Sequence, residues 1–268
     1  MSPQLQTAVL QVTTTCPLSC PQCYMQHTGA HMPLPVARDI LHRAKALGAG
    51  TVQLTGGEPM AYPWLAEVVQ TCKALDLLSV VATSGYGYHR LKTLKAAGLT
   101  AVCVSLNSID PAVNDRTRTG HDLALKAIRE AVALELPCFV NLVLTGDSVQ
   151  TLPQTAEALE AMGVLGLLLL KRFPSSSGDG GEALTREEMA RVRDCVCQKR
   201  DFIQVERCCT GYWARYYGIK GTCTEGGRRS AFWNVDGSVS PCSQKTQYTY
   251  ATVEAMQSDA GRWSGECI

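Results

Sequence analysis

The stretch Thr7-Ala-Val-Leu-Gln-Val-Thr-Thr-Thr-Cys16-Pro-Leu-Ser-Cys20-Pro-Gln-Cys23-Tyr24 sets how the rest of the chain is read. Thr7–Val12 is mostly β-branched or aliphatic, the pattern of a buried strand. Three cysteines follow directly, at spacings of four and three residues. Three thiolates so spaced can converge on one cluster from a single loop. They leave one coordination position open, whereas a structural zinc or a ferredoxin site normally takes four protein ligands.

Downstream the same beginning recurs. Strand patterns at Thr51–Thr55, Leu78–Thr83, Ala101–Leu106, Cys138–Leu144 and Leu165–Leu170 alternate with helix patterns at Pro35–Leu47, Pro63–Leu75, His89–Ala97, Leu123–Leu134 and Leu152–Met162. The strands are nearly continuous in apolar character, which predicts parallel strands covered on both faces. Gly48, Gly98 and Gly163 stand where helix C-caps are expected. Six βα repeats of this kind predict an α/β protein with right-handed crossovers, a partial or full barrel of the TIM type. Periodicity alone does not separate that from a flat doubly wound sheet. Gly56-Gly57-Glu58-Pro59 closes the second strand. Paired glycines there predict close approach of backbone to a ligand, and Glu58 a carboxylate for an amine.

The chain has 268 residues, 46% hydrophobic and 18% charged, with a net charge of +1. That balance gives no electrostatic footprint for nucleic acid or an anionic membrane. The longest apolar run, Ala161–Leu170, is ten residues, too short to cross a bilayer. The N-terminus shows no positive region followed by an apolar stretch, so the expected location is the cytoplasm. Against that background 13 cysteines are many. An odd number without a secretion signal points to metal or redox chemistry rather than a disulfide framework.

After Arg172 the character changes. Residues 173–181 are rich in Ser and Gly, and Thr185-Arg-Glu-Glu188 opens a helix with a capping-box pattern running to about Arg200. Phe232–Val239 reads as a hairpin around Asp236-Gly237. The expected division is therefore a barrel over 1–172, a linker loop and helix over 173–200, and a small cysteine-rich unit over 201–268. The last is too short to build a good core unaided, and bound metal would explain its stability. Cys72, Cys103 and Cys138 fall within helix or strand patterns and read as small core residues.

Cys16, Cys20, Cys23, the aromatic Tyr24 and Gly56–Pro59, in this order on alternating β and α elements, resemble the radical S-adenosylmethionine (SAM) superfamily. The resemblance implies a partial (β/α)6 barrel and a 4Fe-4S cluster on Cys16, Cys20 and Cys23. SAM chelates the fourth iron, and its one-electron cleavage yields a 5′-deoxyadenosyl radical that abstracts a substrate hydrogen. By position, Gly56, Gly57 and Glu58 hold the methionine amino group, Pro59 borders the cofactor beside them, and Tyr24 packs near the cofactor. Ser84, Ser105, Asn107, Asn141 and Arg118 become candidate ribose or carboxylate contacts, with Ser105 and Asn141 the better placed. An electron donor such as a flavodoxin or ferredoxin is implied. Without the family, the first loop reads as a zinc site or redox-active thiols, neither of which explains Gly56–Pro59.

The C-terminal cysteines are similar to a SPASM/twitch extension. Cys208 is followed by nine residues, Gly218, four more and Cys223; a Gly-containing hairpin then leads to Cys242, and Cys267 is second from the end. The resemblance implies one auxiliary iron–sulfur cluster, drawn from Cys208 or Cys209 with Cys223, Cys242 and Cys267. Cys195 or Cys197 could replace Cys267, although i and i+2 on a helix face different ways. The SPASM pattern has a further cysteine three residues after the hairpin one, where this chain has Lys245. A single cluster therefore fits better than two.

Two enzymatic readings follow. In the first, a ribosomally made peptide is oxidised to a crosslink, thioether or unsaturated bond. The chain then resembles compact peptide maturases, and a leader peptide would bind the barrel or a separate partner protein. In the second, a small molecule such as an aminosugar or cyclitol is dehydrogenated. A non-enzymatic iron–sulfur scaffold or electron carrier is the third possibility and leaves Glu58 without a purpose. No general base can be assigned without a substrate pose.

Overall fold

A computed structural model describes residues 5–174, 183–206 and 226–263. The elements alternate as expected: β1 (Thr7–Thr13), α1 (Leu34–Ala46), β2 (Thr51–Gly56), α2 (Leu65–Ala74), β3 (Leu78–Thr83), α3 (Leu91–Ala97), β4 (Ala101–Ser105), α4 (Pro111–Asn114) and α5 (His121–Ala133). Then come β5 (Cys138–Val143), α6 (Gly146–Gln150), α7 (Leu152–Ala161), β6 (Gly166–Leu170), α8 (Arg186–Gln198), β7 (Ile203–Val205), β8 (Ser230–Trp233), β9 (Val239–Ser240), α9 (Val253–Ser258) and α10 (Ala260–Trp263). All nine strands form one sheet, in the order β7-β6-β5-β4-β3-β2-β1-β8-β9, with every pair parallel except β8–β9. The unbroken run from β1 to β7 is the singly wound order of a barrel wall. A doubly wound sheet would reverse direction at a switch point.

Local signals explain most boundaries. Gly48, Gly98 and Gly163 adopt φ of +93°, +109° and +87° just past α1, α3 and α7, where a side chain would strain the turn. The capping box of α8 forms as expected: Thr185 Oγ1 accepts from Glu188 N–H at 3.2 Å, and the Glu188 carboxylate accepts from Thr185 N–H at 2.7 Å. The third helix begins later than expected, at Leu91, because the chain first makes a 3-10 turn at Tyr88–Arg90.

The described part of the cysteine-rich region is joined to the barrel through its sheet. Its hairpin adds to the barrel's own sheet, β8 pairing with β1 from Thr7↔Ser230 to Leu10↔Trp233. Trp233 is fully buried in the common core. The physical reason lies in β1, whose edge would otherwise present unpaired backbone groups. Among the described residues, no helix is long and apolar enough to cross a membrane.

The two faces of the sheet differ. Leu10, Val12, Val52, Leu54, Val81, Val102, Val104, Val140, Leu142, Leu167 and Leu169 belong to one core cluster with Ile40, Leu41, Val68, Val69 and Ile128 of the helices. Their strand neighbours point the other way, into the concave interior. Val9, Val80, Cys103, Phe139, Val143, Leu168 and Leu170 are outside that cluster, and Phe139 keeps 38% of its surface exposed.

Candidate active site at the carboxyl ends of the strands

The cysteine loop leaves the top of β1 and returns to it. Its base is tied by Thr14 N–H to the Ala30 carbonyl at 2.9 Å, by Ala30 N–H to Thr14 Oγ1 at 2.9 Å, and by Met32 N–H to the Val12 carbonyl at 2.9 Å. Within the loop, Cys23 N–H donates to the Cys20 carbonyl at 3.0 Å. Cys16, Cys20 and Cys23 are all half-buried. Burial pushes the Cys16 thiol up to about 11, and the nearby Glu58, Cys20 and Cys23 add to that rise while the Leu18 backbone opposes it. Burial also pushes Cys23 up, with Arg118 working against it. Among the described residues, no three His, Cys, Asp or Glu side chains close around one metal ion. Three half-buried thiols carried by one loop that closes on itself suit an iron–sulfur cluster taking one thiolate per iron.

The glycine pair packs directly against the cysteine loop. A Cβ on Gly56 would lie 2.2 Å from the Thr13 carbonyl oxygen, and one on Gly57 would lie 2.4 Å from that of Thr15. Gly57 N–H and Glu58 N–H donate to those same oxygens, each at 2.8 Å. The glycines therefore let β2 close against the root of the cysteine loop, its backbone filling the space a side chain would take.

Glu58 is likewise occupied. Its carboxylate is 1% exposed. One oxygen accepts from Thr83 Oγ1 at 2.7 Å and from Met60 N–H at 2.9 Å; the other accepts from Ser84 N–H at 2.8 Å and Ser84 Oγ at 2.5 Å. Burial pushes its pKa up while these donors oppose the rise. Four donors fill a carboxylate's acceptor capacity. The Glu58 side chain thereby joins the ends of β2 and β3 as a strut. Ser84 is engaged in the same strut.

Asn107 is likewise held by protein groups. It is 1% exposed. Its amide nitrogen donates to Gln22 at 3.1 Å and to Thr117 at 2.8 Å, and its oxygen accepts Val143 N–H at 3.1 Å. It pins the cysteine loop to β4, β5 and the segment after α4. Ser105 and Asn141 are direct register partners on the concave face, and Asn141 Oδ1 is buried with no partner.

The 117–120 segment, of which only Arg118 was expected, lies over the cysteine loop. Gln22 N–H donates to the Thr117 carbonyl at 3.2 Å, Thr119 Oγ1 is 3.6 Å from Cys20 Sγ, and Gly120 packs against Leu18. Arg118 Nε is buried without a partner. His27 Nε2 is 3.3 Å from Cys23 Sγ. Residue spacing gave no signal for these contacts, because they join segments nearly 100 positions apart or depend on how the loop turns back.

Tyr24 stands between the loop and the C-terminal region. Its ring meets Phe173 edge-on, with centroids 6.5 Å apart. Its hydroxyl is bonded to Ser243 and close to Cys23, Cys242 and Glu206, and desolvation there raises its pKa, while 40% of the residue's surface stays exposed. Cys242 is half-buried just beyond β9. Cys208, Cys209, Cys223 and Cys267 lie outside the described residues. Cys195 is buried in the core and Cys197 is exposed. Cys72 and Cys138 are core residues as expected, whereas Cys103 is buried on the concave face.

Comparison with known proteins agrees with this arrangement. Residues 10–159 match the family model of the Radical SAM superfamily. A PqqA peptide cyclase of Xanthomonas axonopodis pv. citri is 30% identical, the alignment covering 97% of this chain and 72% of the cyclase. A probable GTP 3',8-cyclase of Methanopyrus kandleri is 29% identical over 71% of this chain and 67% of that one. Among solved structures, Streptococcus suis SuiB bound to its precursor peptide SuiA superposes with a TM-score of 0.77 at 16% identity, covering 98% of this chain and 65% of SuiB. The chain thus spans just under two thirds of that structure. The protein is a member of the radical SAM superfamily.

Proposed function

We propose that the protein is a radical SAM enzyme that oxidatively modifies a ribosomally synthesised peptide, forming a crosslink, a thioether or an unsaturated bond. The observation that carries the substrate class is the concave face. Its described side chains, from Val9 and Gln11 through Gln53, Thr55, Val80, Ala82, Cys103, Ser105, Phe139, Asn141 and Leu168 to Gln204, include no Asp, Glu, Lys or Arg. A neutral face bearing amides and hydroxyls suits peptide groups. The names of the PqqA peptide cyclases and of the SuiB–SuiA complex point the same way.

In this reading Cys16, Cys20 and Cys23 hold the 4Fe-4S cluster, and the backbone of Gly56, Gly57 and Pro59 borders the methionine end of SAM. When bound, cluster and SAM together supply a carbon radical that removes a hydrogen atom from the substrate. The chain's own part is to bind, orient and exclude water. Ser105 and Asn141, whose carbonyl oxygen lacks a partner, offer neutral polar contacts to the cofactor's ribose, and Arg118 offers a cation to its carboxylate. Tyr24 closes the side facing Cys242. Residues 201–268 would form a unit carrying one auxiliary cluster, with Cys242 as one ligand, anchored on the barrel through β8. A low-potential flavodoxin or ferredoxin would supply electrons, and a separate leader-binding protein could present the peptide.

The test is anaerobic reaction of the reconstituted protein with SAM, a reductant and the short peptide encoded nearest its gene. A peptide product lighter by two hydrogens, with 5′-deoxyadenosine formed in step, is expected. Dehydrogenation of an aminosugar or cyclitol with the peptide untouched would overturn the substrate class. Iron content decides the cofactors: about eight irons falling to about four in Cys16→Ala/Cys20→Ala/Cys23→Ala is expected for two 4Fe-4S clusters.

A further inference from the structure

The three loop cysteines are not equally surrounded. Cys16 has a backbone contact from Leu18. Cys20 has, besides its place in the loop, the hydroxyl of Thr119 at 3.6 Å, carried in by the segment between α4 and α5. Cys23 has the Met25 backbone and, on its outer side, His27 Nε2 at 3.3 Å. Both side-chain distances fall within the range of hydrogen bonds to sulfur. Neither contact is required by the fold: His27 is exposed, and Thr119 is a half-buried hydroxyl at a helix approach.

We propose that His27 and Thr119 tune the iron–sulfur cluster of this loop, each donating a hydrogen bond to a ligating sulfur, His27 through Nε2–H to Cys23 and Thr119 through O–H to Cys20. This rests on the cluster assignment above. A thiolate bound to iron is an acceptor, and its share of negative charge grows when the cluster takes up an electron. A donor aimed at that sulfur therefore stabilises the reduced cluster more than the oxidised one and raises the reduction potential. The two donors approach different sulfurs from different segments, so their effects should add. By keeping the potential up, they set how readily an external donor can load the cluster with the electron the reaction needs.

The test is an EPR-monitored redox titration of the anaerobically reconstituted full chain, following the cluster signal that changes when SAM is added. His27→Phe keeps a ring in that place without a donor, and Thr119→Val removes the hydroxyl at nearly constant volume. Each variant is expected to titrate at a lower potential than wild type, the double variant lowest, with iron and sulfide content unchanged. His27→Gln, which keeps an N–H donor, should recover part of the shift. A double variant with wild-type iron, wild-type line shape and wild-type potential would overturn the proposal alone. If the SAM-responsive signal survives Cys16→Ala/Cys20→Ala/Cys23→Ala, the cluster assignment falls and the proposal falls with it. If His27→Phe lowers iron content, Thr119→Val decides by itself, since its hydroxyl takes no part in closing the loop base.

Discussion

The two faces of the one sheet teach different things. Toward the helices, Leu10, Leu54, Val81, Val104, Val140 and Leu169 are fully buried in a single cluster. Toward the interior, their immediate neighbours Gln11, Gln53, Val80, Ser105, Asn141 and Leu168 are varied in polarity, and most are only half-buried. The first face keeps the barrel together by removing apolar surface from water. The second does little for stability and is free to carry chemistry, and its upper rim is where the cysteine loop, the Glu58 strut and Arg118 gather. Substitutions at adjacent positions should therefore have opposite characters, one set unfolding the protein and the other disabling it.

The largest separation is expected between Leu54 and Gln53. Leu54→Ala leaves a cavity in the helix-facing core and should cost about 3 kcal/mol, lowering the thermal midpoint of the reconstituted protein by about 6–12 °C. Gln53→Ala, one residue away on the open face, should cost about 0.5 kcal/mol or less. Equal losses at the two positions would mean that the interior is packed like the exterior and would dissolve the distinction.

Glu58 stands where the faces meet, since it bonds Thr83 on the buried side of β3 and Ser84 beyond its end. Glu58→Gln turns one pair of acceptor sites into donors and leaves N–H or O–H groups facing an amide nitrogen. A cost of about 2 kcal/mol is expected from the unsatisfied donors, seen as a lower thermal midpoint. SAM affinity in the surviving folded fraction should change little, because the carboxylate is wholly taken up by protein groups. A selective loss of SAM binding without destabilisation would mark Glu58 as a direct ligand.

Much of this was legible in the chain. Short apolar runs separated by glycine-ended helices specify β1 to β6 within one or two residues, and the cysteine loop announces itself by spacing. The near-continuous apolar runs, however, conceal the alternation: Val80 and Val81 read alike, and only the register shows that one faces helices and the other an open interior. Gly56, Gly57 and Glu58 were legible as special, but the protein groups that hold them were not. Their partners, Thr13, Thr15, Thr83 and Ser84, belong to neighbouring strands, and sequence does not show which backbone lies within 3 Å. The anchoring of β8 on β1 was illegible for a similar reason, because over 200 residues separate the paired strands and no local signal spans that distance.

Val80 and Val81 allow the finest comparison, because one isosteric change can be made on both faces of the same strand. Val81 is fully buried among apolar side chains. Val81→Thr places a hydroxyl there without a ready partner and should cost about 1–3 kcal/mol. Val80 is half-buried beside Gln53 in the sheet register. Its new hydroxyl has water or the Gln53 amide within reach, so Val80→Thr should cost about 0.5 kcal/mol or less. Thermal unfolding of the two variants in parallel measures the difference directly, since volume, strand propensity and position along β3 are nearly matched. A larger loss at Val80 than at Val81 would reverse the assignment of the faces and, with it, the case that the neutral concave surface receives the substrate.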